Sequence, residues 1–209
     1  MNAVKKSLLI TCLTVFMLEK ANRVSAQQGE LRMTISVSVA APEGQFKDYA
    51  DKTTLRGANI SFIYGINSRT GVGLDAGFQD FYKKFPRAMY KLEDGSDLSA
   101  VVSNSVQAIP LLATFKYALT EKGIQPYVGA GAGGAMIINR QYIGEFVNEF
   151  NKFTWAIKPA LGVYIPFKKE GEVGVNLSAY YNYTGYKGNG LSNLSYAGIT
   201  IGVGFPARN

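Results

Sequence analysis

The chain has 209 residues, with 22 Lys and Arg against 15 Asp and Glu, 23 glycines, 13 tyrosines, one cysteine and no histidine. The missing imidazole excludes Ser-His and Cys-His catalysis and His-ligated metals, and the lone Cys12 excludes an internal disulfide. The formal charge of +7 is spread along the chain without a basic face or a recognition motif, so no nucleic-acid partner is expected.

The first element reads as an export signal. Lys5 and Lys6 precede the apolar run SLLITCLTVFML, which at 12 residues is too short for a membrane-spanning helix, and Val24-Ser25-Ala26 supplies a small-residue cleavage site. Residues 1–26 are therefore expected to be removed, leaving 27–209 as one domain. Cys12 leaves with the signal. So do Lys5, Lys6, Lys20, Arg23 and Glu19, which lowers the net charge from +7 to +4.

From Glu30 onward the apolar period is two. In LRMTISVSV, Leu31, Met33, Ile35, Val37 and Val39 share one face and Arg32, Thr34, Ser36 and Ser38 the other. Seven further runs alternate likewise: GANISFIYGI, GVGLDAGFQ, AIPLLATFKYAL, PYVGAGAGGAMI, FTWAIKPALGVYI, VGVNLSAYYNY and SYAGITIGVGF. Long polar segments, at about 41–56, 80–104, 139–152 and 184–193, follow the odd-numbered runs. Short turns NSRTG, TEKG and KKEGE follow the others. This alternation predicts an all-β, eight-stranded antiparallel up-and-down barrel with four long loops on one rim and short turns on the other. Pro110 is expected near a strand end and Pro159 at a bulge, because each lacks a ladder donor.

Side-chain size decides which face looks inward. The face opposite the apolar residues collects Gly73, Gly77, Gly129, Gly131, Gly133, Gly162, Gly198, Gly202 and Gly204, with Ser, Thr and Asn between them. Small and polar groups fit the narrow lumen of eight strands, so the apolar face looks outward, where only lipid can cover it. That makes the barrel a transmembrane one. Its aromatics sort into two levels, Phe78, Phe153, Trp155, Tyr181 and Tyr183 toward the long loops and Tyr64, Phe115, Tyr117 and Phe205 toward the short turns. The glycine run PYVGAGAGGAMI continues as a strand and lacks a phosphate-binding loop's Gly-Lys-Ser/Thr ending, so no nucleotide site is expected there.

By parity the lumen holds Arg32, Asp75, Lys116, Lys158 and Tyr180, as a polar plug or the lining of a narrow channel for small solutes. Phe81, Phe85, Arg87 and Tyr90, in the second long segment, are candidates for contact with an external ligand. No catalytic, metal-binding or cofactor-binding residues emerge, and the protein is expected not to be an enzyme. A soluble lipocalin-like binding barrel is the alternative if the faces are reversed.

The segments IPLLATFKYALTEKGIQPYVGAGAG, IKPALGVYIPF and LSYAGITIGVGF resemble the small eight-stranded outer-membrane barrels of the OmpA/OmpX-like, porin-family kind common in Bacteroidetes. The resemblance covers about residues 27–209. It implies a Gram-negative outer-membrane location, contact with outer-membrane lipid and lipopolysaccharide, and insertion by the assembly machinery, which favours a final strand ending in an aromatic such as Phe205. It also implies a monomer with a structural or surface-interaction role, whose external protein or glycan ligand the sequence does not name.

Overall fold

The computed structural model describes residues 29–91, 97–143, 146–167, 173–188, 191 and 193–207. The expected signal segment and Cys12 lie outside them. Ten strands form: β1 (Leu31–Glu43), β2 (Thr54–Gly65), β3 (Thr70–Lys84), β4 (Ala88–Lys91), β5 (Asp97–Ala100), β6 (Val102–Ala118), β7 (Gln125–Ile143), β8 (Phe146–Pro166), β9 (Gly174–Thr184) and β10 (Leu194–Pro206). One short helix, α1 (Gln45–Tyr49), joins β1 to β2.

Eight of the strands close into a barrel in the order β1-β10-β9-β8-β7-β6-β3-β2, every pair antiparallel. Closure follows from the first strand pairing with the last, from Arg32↔Pro206 to Glu43↔Ser195, so neither β1 nor β10 is left as an edge. The remaining two, β4 and β5, make a separate hairpin within the second long connection.

Side chains alternate across this wall as the period of two requires. Ile35, Val37, Leu74, Leu111, Leu161, Ile199 and Ile201 face out, Leu161 with 63% of its surface exposed, whereas Ser36, Ser38, Asp75, Asn176 and Thr200 are buried inside. On β8 the outward series Trp155, Ile157, Pro159, Leu161, Val163 and Ile165 matches the roughly 9–11 residues a tilted strand needs to cross hydrocarbon. Beyond it the outer surface changes character. Arg56 pairs with Asp80 at 3.4 Å, Arg140 with Glu149 at 2.7 Å, and Asn151 donates to Glu149 at 2.9 Å, forming a polar collar outside the upper aromatics.

Three expectations are corrected. The segments 80–104 and 139–152 are largely strand rather than loop: β3 runs on to Lys84, β6 begins at Val102, and β7 and β8 stay paired up to Ile143↔Phe146. From the collar upward polar residues such as Asp80, Ser105, Gln107, Arg140, Glu149 and Asn151 interrupt the outer face, which removed the periodic signal that marks these strands lower down. Pro110 consequently sits mid-strand in β6. It pairs with Ala135 of β7, while the β3 ladder skips its position and resumes in the same register.

Pro159 does not sit at a bulge. Ile157↔Tyr183 and Ala160↔Tyr180 have the same register on both sides of it, so β9 pairing simply lapses at Lys158 and Pro159. On the β7 side the proline is fully in register, opposite Ala130.

Candidate functional site

The glycines of the inner face make room for the lumen's large side chains. A Cβ on Gly162 would meet the Tyr127 ring at 2.6 Å, and one on Gly198 would meet the Tyr180 ring at 2.6 Å. Each tyrosine therefore lies over the bare cross-strand position it pairs with on the neighbouring strand. On the outer face Gly134 is covered in the same way by the Phe153 ring, an aromatic shielding a glycine in a neighbouring strand.

The middle of the lumen is a polar network. Lys158 pairs with Asp75, and Asn59 donates to the same carboxylate oxygen at 3.0 Å. Lys158 also stands 5.3 Å from the centroid of Tyr180. Around this pair Ser38 donates to Gln79 at 2.8 Å, Tyr127 donates to Asn176 at 3.0 Å, and the hydroxyls of Ser178 and Thr200 are 2.6 Å apart. These bonds meet most of what buried polar groups require when strands shut out bulk water, although Gln79 Nε2 and Thr114 Oγ1 are buried without a partner among the described residues.

Toward the short turns the two other lumen cations are held by aromatic rings. The Arg32 guanidinium stacks 4.4 Å from the centroid of Tyr164, and the Lys116 ammonium lies 3.5 Å from that of Tyr127. The structure thus brings Asp75, Lys158 and Tyr180 together and places Arg32 in a lower vestibule, with Lys116 between the two, lining both cavities. At the vestibule's rim Arg69 binds Glu121 at 3.0 Å. A hydrogen bond with Tyr117, and then the Glu121 charge, hold its guanidinium above the usual arginine range.

Toward the long-loop end the lumen is apolar, which sequence reasoning missed. Phe81 is wholly buried, packed edge-on against Phe46 of α1 at 4.9 Å and against Tyr196 at 5.1 Å. Val106, Ala108, Leu112, Ile137, Tyr186 and Leu194 complete the cluster. The missed signal is the inward parity of Phe81, Val106 and Ile137, which becomes visible once β3, β6 and β7 are extended upward. Phe81 is therefore not an external contact residue, because its position in β3 points it into this plug.

Of the other loop candidates, Phe85 is half-buried with the Lys83 ammonium 5.0 Å from its ring, and Arg87 is exposed. Tyr90 pairs with Leu98 in the β4–β5 hairpin, and its side chain lies outside the described residues. Among the described residues no three His, Cys, Asp or Glu side chains gather as a metal site. Nor does the lumen contain a nucleophile beside a base in the sense acyl-transfer chemistry needs.

None of the curated proteins matches the chain. Solved structures with the same architecture include Neisserial surface protein A, at 15% identity and a TM-score of 0.51, covering 88% of this chain and 99% of that one. Another is Ail, the attachment invasion locus protein of Yersinia pestis, at 15% identity and a TM-score of 0.50, covering 86% and 99%. These likenesses concern the fold. The model of the outer membrane protein beta-barrel domain matches residues 8–205, and with the closed eight-stranded wall, outward apolar band and polar lumen it places this chain in that family, as an integral barrel of the Gram-negative outer membrane.

Proposed function

We propose that this barrel serves as a surface-interaction protein of the OmpA/OmpX-like kind, presenting a sheet outside the membrane to an external protein or glycan. The observation that carries the reading is the height of the β7–β8 hairpin. Beyond Met136↔Phe153 it continues for seven paired positions, from Ile137↔Lys152 to Ile143↔Phe146, a rise on the order of 20 Å along the strands. Together with the upper parts of β3 and β6 it stands above the upper aromatics and carries the polar collar on its outer face.

This projecting sheet carries exposed Tyr82, Tyr142, Val147 and Phe150. Apolar side chains in water beside a satisfied polar collar suit contact with a partner surface. In addition, β8 has no β9 ladder partner from Phe146 to Trp155; the segment after β9 bonds its lower end, at Lys152, Thr154 and Trp155, and above Lys152 the backbone edge is available to an incoming strand.

The channel alternative finds less support, because the apolar plug around Phe46 and Phe81 stands between the polar lumen and the exterior. In the same reading residues 1–26 act as the export signal, Phe205 near the C-terminus serves recognition by the assembly machinery, and the working unit is a monomer embedded in lipid and lipopolysaccharide. The lipocalin-like alternative requires the apolar face inward, opposite to the exposure of Leu111 and Leu161.

Site-specific photocrosslinking on intact cells tests the proposal. A photoreactive residue at Val147 is expected to give adducts of macromolecular mass, and one at Leu161 lipid adducts only. Substituting Tyr142 and Phe150 by Ser should abolish the Val147 adduct. Lipid adducts alone at both positions would contradict a surface-contact role.

A further inference from the structure

The lower vestibule poses an electrostatic problem that the protein's own side chains leave unsolved. Its cavity, about 70 Å³, is lined by Arg32, Arg69, Lys116 and a single carboxylate, Glu30. Arg69 is already engaged by Glu121 at 3.0 Å, and Asp75, deeper in the lumen, is taken by Lys158. Neither Arg32 nor Lys116 has a carboxylate partner among the described residues. Two cations thus face one cavity inside a wall whose outer side is hydrocarbon, where uncompensated charge is expensive.

The manner in which these cations are held matters as much as their number. The Arg32 guanidinium carbon is 4.4 Å from the centroid of the Tyr164 ring, a contact that consumes no acceptor for its N–H donors. Tyr127 supports the Lys116 ammonium and is itself fixed by its hydrogen bond to Asn176. Cation–π contacts position both groups without using up the donors that an acceptor would take. Gly65 and Gly71, on the strands between them, line the cavity with Ile63, whose side chain occupies the place a Cβ on Gly71 would need, and Gln125 adds an amide.

We infer that the vestibule binds a small multiply charged oxyanion, of the phosphate or sulfate class, held between Arg32 and Lys116. The cavity has room for several water-sized atoms, the scale of one tetrahedral oxyanion. Entry is from the short-turn side, facing the periplasm. The strand wall bars a lipid headgroup from the side, and the Phe46–Phe81 plug bars passage outward, so the site is a dead end rather than a conduction step.

Calorimetric titration of the refolded full barrel in neutral detergent with inorganic phosphate tests the inference, with sulfate as a second probe. One phosphate per barrel is expected for the unaltered protein. Dissociation constants should rise at least tenfold in Lys116→Met and in Arg32→Gln, and stay within twofold in Lys187→Gln, which alters an exposed loop lysine. Heat-modifiable migration on gels verifies that each variant is folded, and Arg32→Gln, closer to the rim, carries the comparison should Lys116→Met fail to refold. Absence of binding by the folded unaltered barrel, or equal weakening in Lys187→Gln, overturns the site.

Discussion

Replacing Asp75 by Ala is expected to lower the unfolding free energy of the refolded barrel by about 3–5 kcal/mol, the usual consequence of stranding one member of a buried ion pair. Lys158 then loses its anionic partner, with its side chain only 12% exposed and with Lys116 lining the same cavity. Asn59 also loses the acceptor it reaches at 3.0 Å. Its second bond, to the Ala76 carbonyl at 3.1 Å, is retained, so the Asn59 contribution is the smaller one.

The pair itself is worth less than its rupture. Removing both charges with Asp75→Leu and Lys158→Met should destabilise less than the two single substitutions added together, because neither charge is left alone. Urea-induced loss of heat-modifiable migration, in micelles or liposomes, measures all four variants on one scale. A shift below about 1 kcal/mol for Asp75→Ala would show that the lumen is wet enough to solvate Lys158 without its partner.

The second large effect lies on the outer wall. Leu161 is midway between Trp155 and Ile165 on the lipid-facing series of β8, so Leu161→Arg puts a charge near the bilayer midplane, at about 2–4 kcal/mol. Val147→Arg, on the same strand and also outward but above the collar, should change stability by less than about 0.5 kcal/mol because its environment is water. Measured in liposomes, this contrast separates depth from mere exposure. Equal effects at the two positions would mean that the height of the lipid band is misplaced.

Sequence periodicity reached the barrel because lipid imposes a strict rule on every outward position it touches. Leu74, Leu111, Leu161 and Ile201 each obey it, and so strand parity and the orientation of the lumen were legible. The rule stops where the lipid stops. Outward Ser105 and Gln107 on β6 and Arg140, Glu149 and Asn151 on β7 and β8 are polar, so those stretches looked like loops even though their backbones are paired.

The plug was hidden by the same change of solvent. In the upper barrel Phe81, Val106 and Ile137 point inward, reversing the pattern read from the lower strands. The Asp75–Lys158 pair illustrates a different limit. Parity puts both residues inside, but they lie 83 positions apart, and only the pairing registers running from β3 through β6 and β7 to β8 bring them to one height.

The outward apolar band is the claim on which the rest depends, and fluorescence quenching at single labelled positions measures it directly. Labels at Leu74, Leu161 and Ile199 in a barrel reconstituted into vesicles should be quenched by a bilayer-embedded quencher and protected from an aqueous one, with the reverse at Val147. A label at Leu161 open to the aqueous quencher, on protein that remains monomeric and folded in detergent-free buffer, would contradict the account.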